Sequence, residues 1–276
     1  MKEIMLGEIP DSYLTLLEDK AKEYRAATTK ILSEAGYRRS PSFTIAKEAS
    51  RIAVKNYWEA TSNMSLGNQI PKKLIVGTMA HSFIMRFKNE ITAFRVWNKY
   101  FPNSIFLIDT YDSIKAVKKI IKAKLKPSAV RIDSDPIEKI AIKVRKLLDK
   151  AGWTDVKIFL SGDITPEKLI KWEKENIPFD MCMVGTKYVN LGVMANVNCG
   201  FVYKIVEFTT IKNGETTKMY PEKKAKFKSN YPGLKKITVN DNGDILMKIT
   251  RKKDDFGFEN MEKINSYAKV KFVRRG

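Results

Sequence analysis

The stretch that decides the fold is AVRIDSDPIEKIAIKVRKLLDKAGWTDVKIFLSGD, residues 129–163. It holds two short apolar runs, residues 129–134 and 156–163, whose length and composition are typical of strands buried on both faces. Between them lies an amphipathic helical pattern that opens with an Asp-Pro pair and closes at Gly152, the usual start and stop signals of a helix. A strand, a helix and a second strand in this order predict a βαβ unit with parallel strands.

Apolar runs and helical patterns continue to alternate on both sides of this unit. We therefore expect an α/β fold with a parallel sheet, either a barrel or a doubly wound sheet. No G-x-G-x-x-G motif follows the first apolar run, which argues against a dinucleotide-binding domain. Further strand-like runs lie at residues 73–78, 104–110, 179–186 and 201–208, and helical patterns lie at residues 11–35, 40–60 (beginning at Ser40 and Pro41), 111–125 and 165–177.

Polar and small residues gather where the predicted strands end, which is the edge at which α/β barrels hold their active sites. Hydroxyl, carboxylate and glycine groups at such an edge suit the binding of a phosphorylated sugar. One of them, His81, is the single histidine of the chain, and the alternative for it is a core position without chemistry. The strand-end residues are Thr78, His81, Asp109, Thr110, Asp133, Ser134, Ser161, Gly162, Asp163, Gly185 and Thr186.

Composition narrows the class of protein. The 51 basic and 31 acidic residues give a net charge of +20, which attracts polyanions, from nucleic acid to small phosphorylated metabolites, unless the lysines only form a solvated face. Cys182 and Cys199 lack metal-ligand spacing, and a single histidine argues against a zinc site, so we expect no metal site built by the protein alone. No apolar run is long enough to span a membrane and no secretory signal is evident, so we expect a reduced, cytoplasmic protein.

Seven short motifs, read in order, resemble the nicotinate phosphoribosyltransferase family, which has the type II phosphoribosyltransferase fold. They are GYRRSPS (36–42), TSN (61–63), GTMAHS (77–82), VRIDS (130–134), SGD (161–163), VGT (184–186) and YPGLKK (231–236). The resemblance implies an irregular, partly open α/β barrel, a homodimer or higher oligomer, and transfer of phosphoribosyl from phosphoribosyl pyrophosphate to a pyridine base. We expect an N-terminal helical segment (1–35), a barrel domain (36–210) and a basic, β-rich appendage (211–276).

The resemblance also implies roles for individual residues. His81 would be a phosphohistidine that couples the reaction to ATP, and Asp133 would join it as a catalytic residue. Arg131 and Asp133 would hold the base and the ribose hydroxyls, and Arg38 would face a phosphate or the pyridine carboxylate. Ser62 occupies the position where the nicotinamide branch carries an acid, which favours a carboxylated base.

The remaining implied roles concern phosphates. Backbone N–H groups of the turns at Ser161, Gly162 and Asp163 and at Gly185 and Thr186 would cradle the 5′-phosphate of the sugar. Mg²⁺ would arrive with the pyrophosphate. Lys218, Lys228 and Lys235 lie in the stretch that resembles the Lys-rich C-terminal segment of the family.

Some positions depart from the family pattern. Ala35 replaces an aromatic residue that stacks on the pyridine ring, and Asp135 and Met183 replace glycines of the phosphate turns. Family members also carry a longer segment before the first arginine motif, so we expect an N-terminally truncated member. Two functions therefore stay open: an enzyme of the nicotinate phosphoribosyltransferase type, and an inactive scaffold that binds phosphates, nucleic acid or protein through its basic surface.

Overall fold

The computed structural model describes residues 9–134, 136–191 and 207–221, and five further strand pieces at 224–225, 228–229, 234–239, 245–250 and 257–258. The chain divides into two compact units, Met1–Val202 and Tyr203–Gly276. The predicted domain boundaries at residues 35 and 210 stay predictions.

A parallel sheet of six strands organises the first unit, in the order β2-β1-β6-β5-β4-β3. Helices flank it, and the sheet curves as one part of a barrel. This confirms the predicted α/β fold with a partly open barrel. The strands are β1 (Ile31–Glu34), β2 (Ala60–Thr61), β3 (Ile105–Leu107), β4 (Ala129–Ile132), β5 (Lys157–Ser161) and β6 (Met181–Val184).

Eight α-helices are present among the described residues, and side chains cap several of them as the sequence indicates. Thr165 accepts a hydrogen bond from the backbone N–H of Lys168, and Asp112 accepts one from Lys115. The helices are α1 (Asp11–Ala27), α2 (Phe43–Lys55), α3 (His81–Ile84), α4 (Glu90–Tyr100), α5 (Ser113–Lys122), α6 (Ile137–Lys150), α7 (Pro166–Lys174) and α8 (Thr186–Val189).

The helical interpretation of residues 11–35 is right as far as Ala27 and wrong for residues 31–34, which form the central strand β1. The guanidinium of Arg25 explains the break, because it donates to the carbonyl oxygen of Lys30 (2.8 Å) just beyond the helix end. The following backbone then pairs with β6, beginning with the N–H of Ile31 to the carbonyl oxygen of Asp180 (3.2 Å). Pairing on both sides overrides the local helix propensity of this segment.

Two further predictions are corrected. Residues 73–78 do not form a strand: Lys72–Leu74 make a 3-10 turn, and Ile75 forms a single isolated bridge with Thr61. The N–H of Val76 donates to the carbonyl oxygen of Thr61 (2.9 Å), so the described residues form a bridge here and not a strand. The helix predicted to begin at Ser40 begins at Phe43, because the hydroxyl of Ser42 takes the N-cap role and accepts from the N–H of Ile45 (3.1 Å).

The core of the first unit lies between the sheet and the apolar faces of its helices. Strand residues such as Leu32, Val130, Ile158 and Cys182 are fully buried. Each buried large aliphatic side chain contributes roughly 1.5–3 kcal/mol relative to exposure, so this layer fixes where the strand ends meet. Helix residues that complete it include Leu17, Ile45, Phe94, Val117, Val144, Leu148, Leu169 and Trp172.

The second unit is built of strands in its described part, which confirms a β-rich C-terminal appendage. β7 (Phe208–Lys212) and β8 (Glu215–Met219) form an antiparallel hairpin. β11 (Leu234–Val239) pairs antiparallel with β12 (Ile245–Thr250) and parallel with β13 (Gly257–Phe258), while β9 (Lys224–Ala225) pairs with β10 (Lys228–Ser229). Residues 201–206 of the predicted run 201–208 lie outside the described residues.

In the described part of the chain, every helix is too short or too polar to traverse a lipid bilayer.

Candidate active site

His81 lies at the start of α3, at the carboxyl edge of the sheet. Its Nδ1 atom is 3.0 Å from Oγ1 of Thr110, a fully buried hydroxyl that follows β3. Its Nε2 atom is 3.6 Å from Oδ2 of Asp133 and 3.9 Å from Oδ1 of Asp109. The ring remains partly accessible, with 21% of its side chain exposed. The single histidine therefore stands among a hydroxyl and two carboxylates at the strand ends, not in the core.

Asp133 is held by the two neighbouring strands. Its backbone N–H donates to Oδ2 of Asp109 (3.1 Å), and its Oδ1 accepts from the hydroxyl of buried Ser161 (2.8 Å). Oδ1 of Asp109 is buried and accepts no hydrogen bond among the described residues. The ends of β3, β4 and β5 thus present two fixed carboxylates toward His81.

Gly162 brings the turn after β5 into contact with the turn after β4. Its backbone has φ +103°, and a Cβ atom at this position would lie 2.9 Å from the carbonyl oxygen of Asp133. A side chain is therefore excluded by both conformation and space. Asp163 follows with φ +46° and is exposed, so the structure places it in the turn after β5, beside Gly162.

Arg131 lies on β4, two residues before Asp133. Its guanidinium donates to the hydroxyl of Thr78 and lies 4.0 Å from the sulfur of Met183, while its buried Nε has no hydrogen-bond partner among the described residues. Burial lowers the pKa of Arg131, the carboxylates of Asp133 and Asp109 raise it, and the charge of Arg38 lowers it. A buried cation with an unused donor is a natural site for an anion.

Arg38 and Ser62 lie on two neighbouring loops at the ends of β1 and β2. Arg38 is exposed in the 3-10 turn Tyr37–Arg39, and its charge is close enough to act on Arg131. Ser62 donates its backbone N–H to the carbonyl oxygen of Glu34 (2.8 Å). Both loops therefore border the same edge of the sheet as His81.

Gly185 and Thr186 lie between β6 and α8, next to the loop that follows β1. A Cβ atom on Gly185 would lie 3.0 Å from the carbonyl oxygen of Ala35, so the two turns are in direct contact. Thr186 is the first residue of α8 and is partly exposed. The predicted phosphate turns are thus placed at the same edge of the sheet, one after β5 and one after β6.

The structure brings together His81, Asp133, Arg131, Ser161 and Gly162 most closely. Lys218 belongs to the second unit, where it forms an ion pair with Glu207 (3.3 Å). The side chains of Lys228 and Lys235, and the whole of residues Asp135 and Cys199, lie outside the described part of the chain.

Sequence reasoning missed Glu34 and gave no individual role to Thr110. Glu34 is fully buried at the end of β1, and its carboxyl accepts hydrogen bonds from Thr61 (2.6 Å), Ser50 (2.7 Å) and the N–H of Gly36. Burial raises the pKa of Glu34 more than these hydrogen bonds lower it. An acid two residues before GYRR, shortly after the apolar pair Ile31 and Leu32, was the available signal.

The cluster His81, Asp109 and Asp133 could hold a cation, because its ligand atoms lie within 4.8 Å of one another. Carboxylate oxygens are the ligands that Mg²⁺ prefers, whereas imidazole suits transition metals. The unused Oδ1 of Asp109 fits a role as an oxygen ligand. The donor set therefore suits Mg²⁺ through Asp109 and Asp133, with the imidazole left for other chemistry.

The curated proteins that match this chain are named nicotinate phosphoribosyltransferases. The chain is 29% identical over 205 residues to a nicotinate phosphoribosyltransferase of Bacillus subtilis, covering 71% of this chain and 41% of that protein. It is 31% identical over 199 residues to one from Mycobacterium tuberculosis, covering 68% of this chain and 43% of that protein. The chain belongs to the nicotinate phosphoribosyltransferase family. It spans less than half the length of these curated relatives, and no family model matches it.

Solved structures agree on the fold. A nicotinate phosphoribosyltransferase from Porphyromonas gingivalis superposes with a TM-score of 0.67 at 17% identity, covering 83% of this chain and 64% of that chain. A nicotinate-nucleotide pyrophosphorylase from Pyrococcus furiosus gives a TM-score of 0.57 at 21% identity, covering 87% and 59%. The first unit of this member of the nicotinate phosphoribosyltransferase family thus has the type II phosphoribosyltransferase fold.

Proposed function

We propose that this protein is an enzyme that transfers phosphoribosyl from phosphoribosyl pyrophosphate to a pyridine carboxylate, in the synthesis or salvage of NAD, with ATP-linked phosphorylation of His81. One observation carries the proposal: the only histidine of the chain stands at the strand ends between Thr110 and the carboxylates of Asp109 and Asp133. Family membership agrees with this function.

The transfer itself exchanges two bonds at one carbon. The lone pair of the pyridine nitrogen forms a bond to C1 of the ribose, while the bond from C1 to the pyrophosphate oxygen breaks and pyrophosphate leaves with the electron pair. Positive charge develops on the sugar ring in this step, and a fixed anion beside it lowers the barrier. In the proposal Asp133 supplies that anion and binds the ribose hydroxyls, since Ser161 and its own backbone contact to Asp109 fix its orientation.

His81 performs the ATP-linked step in this proposal. In the tautomer that the proposal requires, Nδ1 carries the proton and donates a hydrogen bond to Oγ1 of Thr110 (3.0 Å), which leaves the lone pair on Nε2. Nε2 forms a bond to the terminal phosphorus of ATP, and the bond from that phosphorus to the bridging oxygen breaks, so ADP leaves. During turnover a water oxygen bonds to the same phosphorus, the bond from phosphorus to Nε2 breaks, and inorganic phosphate leaves. The imidazole suits this role because it is nucleophilic near neutral pH.

Asp109 and Asp133 would hold Mg²⁺, which when bound supplies positive charge for the phosphate and pyrophosphate oxygens. The carboxylates of Asp133 and Asp109 also offset the positive charge of Arg131, whose pKa they raise.

Substrate binding falls to residues around this centre. Arg131, with its unused Nε, and Arg38 would bind the carboxylate of the base and a phosphate. Ser62 would leave room for a carboxylated base, and the turns at Ser161, Gly162 and Asp163 and at Gly185 and Thr186 would cradle the 5′-phosphate through their N–H groups. Met183 lies against Arg131, so its sulfur narrows the space beside the guanidinium.

The test is product formation from phosphoribosyl pyrophosphate and either nicotinate or nicotinamide, followed by mass spectrometry of the mononucleotide. We expect product from nicotinate and at least about tenfold less from nicotinamide, because only the carboxylate pairs with Arg131. Arg131→Lys should raise KM for nicotinate, since an ammonium lacks the planar fork. The matched control is Arg145→Lys on α6, whose guanidinium binds the carbonyl oxygens of Val156 and Trp153 away from the site. No product from either base would contradict the proposal.

Assembly and location belong to the same proposal. We infer a homodimer or higher oligomer and a cytoplasmic location. The exposed apolar residues Tyr37, Phe43 and Met64, which border the loops of β1 and β2, are consistent with self-association.

A second candidate function, polyanion binding by a scaffold, is favoured by a row of lysines on α6. Lys139, Lys143, Lys146 and Lys150 are exposed, repeat at steps of three and four residues, and form no ion pair among the described residues. Like charges at these spacings oppose helix formation, so the row does not serve stability. On α1, by contrast, lysines pair with acids at the same spacings, as in Lys20–Glu23 (2.7 Å).

Polyanion binding is tested by measuring the binding constant for a DNA duplex of about 20 base pairs at several salt concentrations. Each neutralised phosphate contributes about 0.9 to the slope of log K against log salt concentration. Replacing the four α6 lysines by glutamine should lower that slope by about three to four. The matched control replaces Lys20, Lys22, Lys55 and Lys171, which pair with acids. Equal effects of the two quadruple variants would rule out the α6 row as a binding surface.

A further inference from the structure

Glu34 is a buried acid without a basic partner. Its side chain is fully buried, and no ion pair involves it among the described residues. Three donors converge on it: the hydroxyls of Ser50 and Thr61 on Oε2, and the N–H of Gly36 on Oε1. A carboxyl buried away from any cation is costly to folding, so its presence calls for a role beyond packing.

Its hydrogen bonds reach both loops that carry predicted binding residues. Gly36 begins the turn that presents Arg38, and the N–H of Arg39 closes that turn on the carbonyl oxygen of Gly36 (2.7 Å). Thr61 directly precedes Ser62, whose N–H donates to the carbonyl oxygen of Glu34 (2.8 Å). One residue therefore contacts both loops, through its side chain and its backbone.

Neighbouring contacts leave these loops little freedom. A Cβ atom on Gly36 would lie 2.1 Å from Cγ1 of Val189 and 3.0 Å from Oε1 of Glu34. The side-chain amide of Asn63 donates to the hydroxyl oxygen of Ser50 (3.0 Å). The backbone N–H of Asn63 donates to Oγ1 of Thr61 (3.0 Å). The three donors to Glu34 are thus themselves anchored.

We propose that Glu34 is a positioning residue that sets the loops of Arg38 and Ser62 relative to each other, acting through the N–H of Gly36 and the hydroxyl of Thr61. Being buried, it does not touch substrate. The role rests on the proposed function, in which these loops bind the base and its phosphates.

Glu34→Gln keeps the size of the side chain and changes its hydrogen bonding. The N–H of Gly36 requires an acceptor, so the amide oxygen of glutamine occupies the position of Oε1. Its NH₂ group then occupies the position of Oε2, where it faces the hydroxyls of Ser50 and Thr61, which are also donors. Those hydroxyls have to turn, so the side chain no longer accepts hydrogen bonds from both loops at once, and their relative position is less firmly set. We expect KM for nicotinate or phosphoribosyl pyrophosphate to rise roughly tenfold with kcat changed less than about threefold, since the misplacement affects binding groups rather than the reacting atoms.

Glu90→Gln is the matched control. Glu90 is also a buried glutamate, with 3% of its side chain exposed, but it forms an ion pair with Lys119 (2.6 Å) at the start of α4. Its replacement should lower Tm without changing KM. Thr61→Val and Thr61→Ser give a second comparison should Glu34→Gln not fold: valine should reproduce the rise in KM, and serine, which keeps the hydroxyl, should not.

Tryptic cleavage after Arg38 and Arg39, followed by peptide mass spectrometry of the native chain, reports loop order without turnover. Glu34→Gln should speed cleavage there by roughly fivefold or more relative to Glu90→Gln. Suppose that the wild type turns over, that Glu34→Gln and Glu90→Gln have the same KM, and that trypsin cleaves both at the same rate. This result would overturn the role of Glu34. Absence of wild-type turnover would instead defeat the proposed function, and the cleavage rates alone would then decide whether Glu34 positions the loops.

Discussion

Nδ1 of His81 lies 3.0 Å from the buried hydroxyl of Thr110, so the end of β3 fixes the orientation of the only imidazole in the chain. Thr110 and Asp109 are adjacent, and they approach different nitrogens of the same ring. The proposed phosphorylation depends on this arrangement, in which Nδ1 faces a hydroxyl and Nε2 faces carboxylates.

Thr110→Val should therefore lower the ATP-stimulated rate roughly tenfold, because the ring loses the hydrogen-bond partner that orients it. Thr110→Ser keeps the hydroxyl and should retain most of the rate. Initial rates measured with and without ATP check this, and equal rates for the valine and serine variants would show that the hydroxyl does not act on His81.

Gly162→Ala should lower the free energy of unfolding by about 1–3 kcal/mol or more, since the new Cβ meets the carbonyl oxygen of Asp133 in a left-handed conformation. Gly152→Ala is a fitting control, because Gly152 also has positive φ (+73°) but open space around it, so only the conformational cost of about 1 kcal/mol applies. Urea unfolding of both variants measures the difference. A larger loss for Gly152→Ala than for Gly162→Ala would contradict the tight contact between the two turns.

Glu34 should make stability depend on pH. Its pKa in the folded chain is raised above the ordinary value of 4.5, so the folded state binds more protons than the unfolded state above that value. The contribution is therefore complete below pH 4.5 and is lost as pH rises through the raised pKa. Wild-type stability should fall with rising pH relative to Glu34→Gln, as measured by urea unfolding at a series of pH values. Parallel curves for the two proteins would exclude a raised pKa.

Cys182 should resist thiol reagents in the native protein. Its side chain is fully buried, and burial raises the pKa of its thiol to about 12, which suppresses the reactive thiolate. Peptide mass spectrometry after alkylation should find Cys182 modified only when urea is added. Rapid native modification of Cys182 would show that the core layer between β6 and its helices opens.

Much of the fold follows from local patterns. The β3 to β6 segments and the helices between them carry apolar runs, amphipathic faces and caps such as Thr165, which specify their own structure. β1 does not: residues 31–34 follow a helix closely and become a strand because β2 and β6 pair with them from both sides. Ile75, conversely, lies in a strand-like run that finds only one bridge. Tertiary pairing, which a local pattern does not contain, decides both cases.

The candidate site was predictable as a set of strand ends and less so as a network. His81, Asp133, Arg131 and Ser161 follow from motif and position, because carboxyl ends of parallel strands share one edge. The pairing of His81 with Thr110 depends on how α3 is placed over β3, at a separation of 29 residues. The role of Glu34 depends on donors from α2 and β2 that surround it only in the fold.

The most direct test of the proposed function is intact-mass spectrometry of the wild type and His81→Gln after incubation with ATP and Mg²⁺, before and after adding phosphoribosyl pyrophosphate and nicotinate. The proposal predicts that the wild type gains one phosphoryl group on His81, loses it during turnover and forms the nicotinate mononucleotide faster with ATP than without it. His81→Gln should show neither the phosphoryl group nor the stimulation by ATP. A wild type that forms no mononucleotide and stays unphosphorylated would contradict the proposed function.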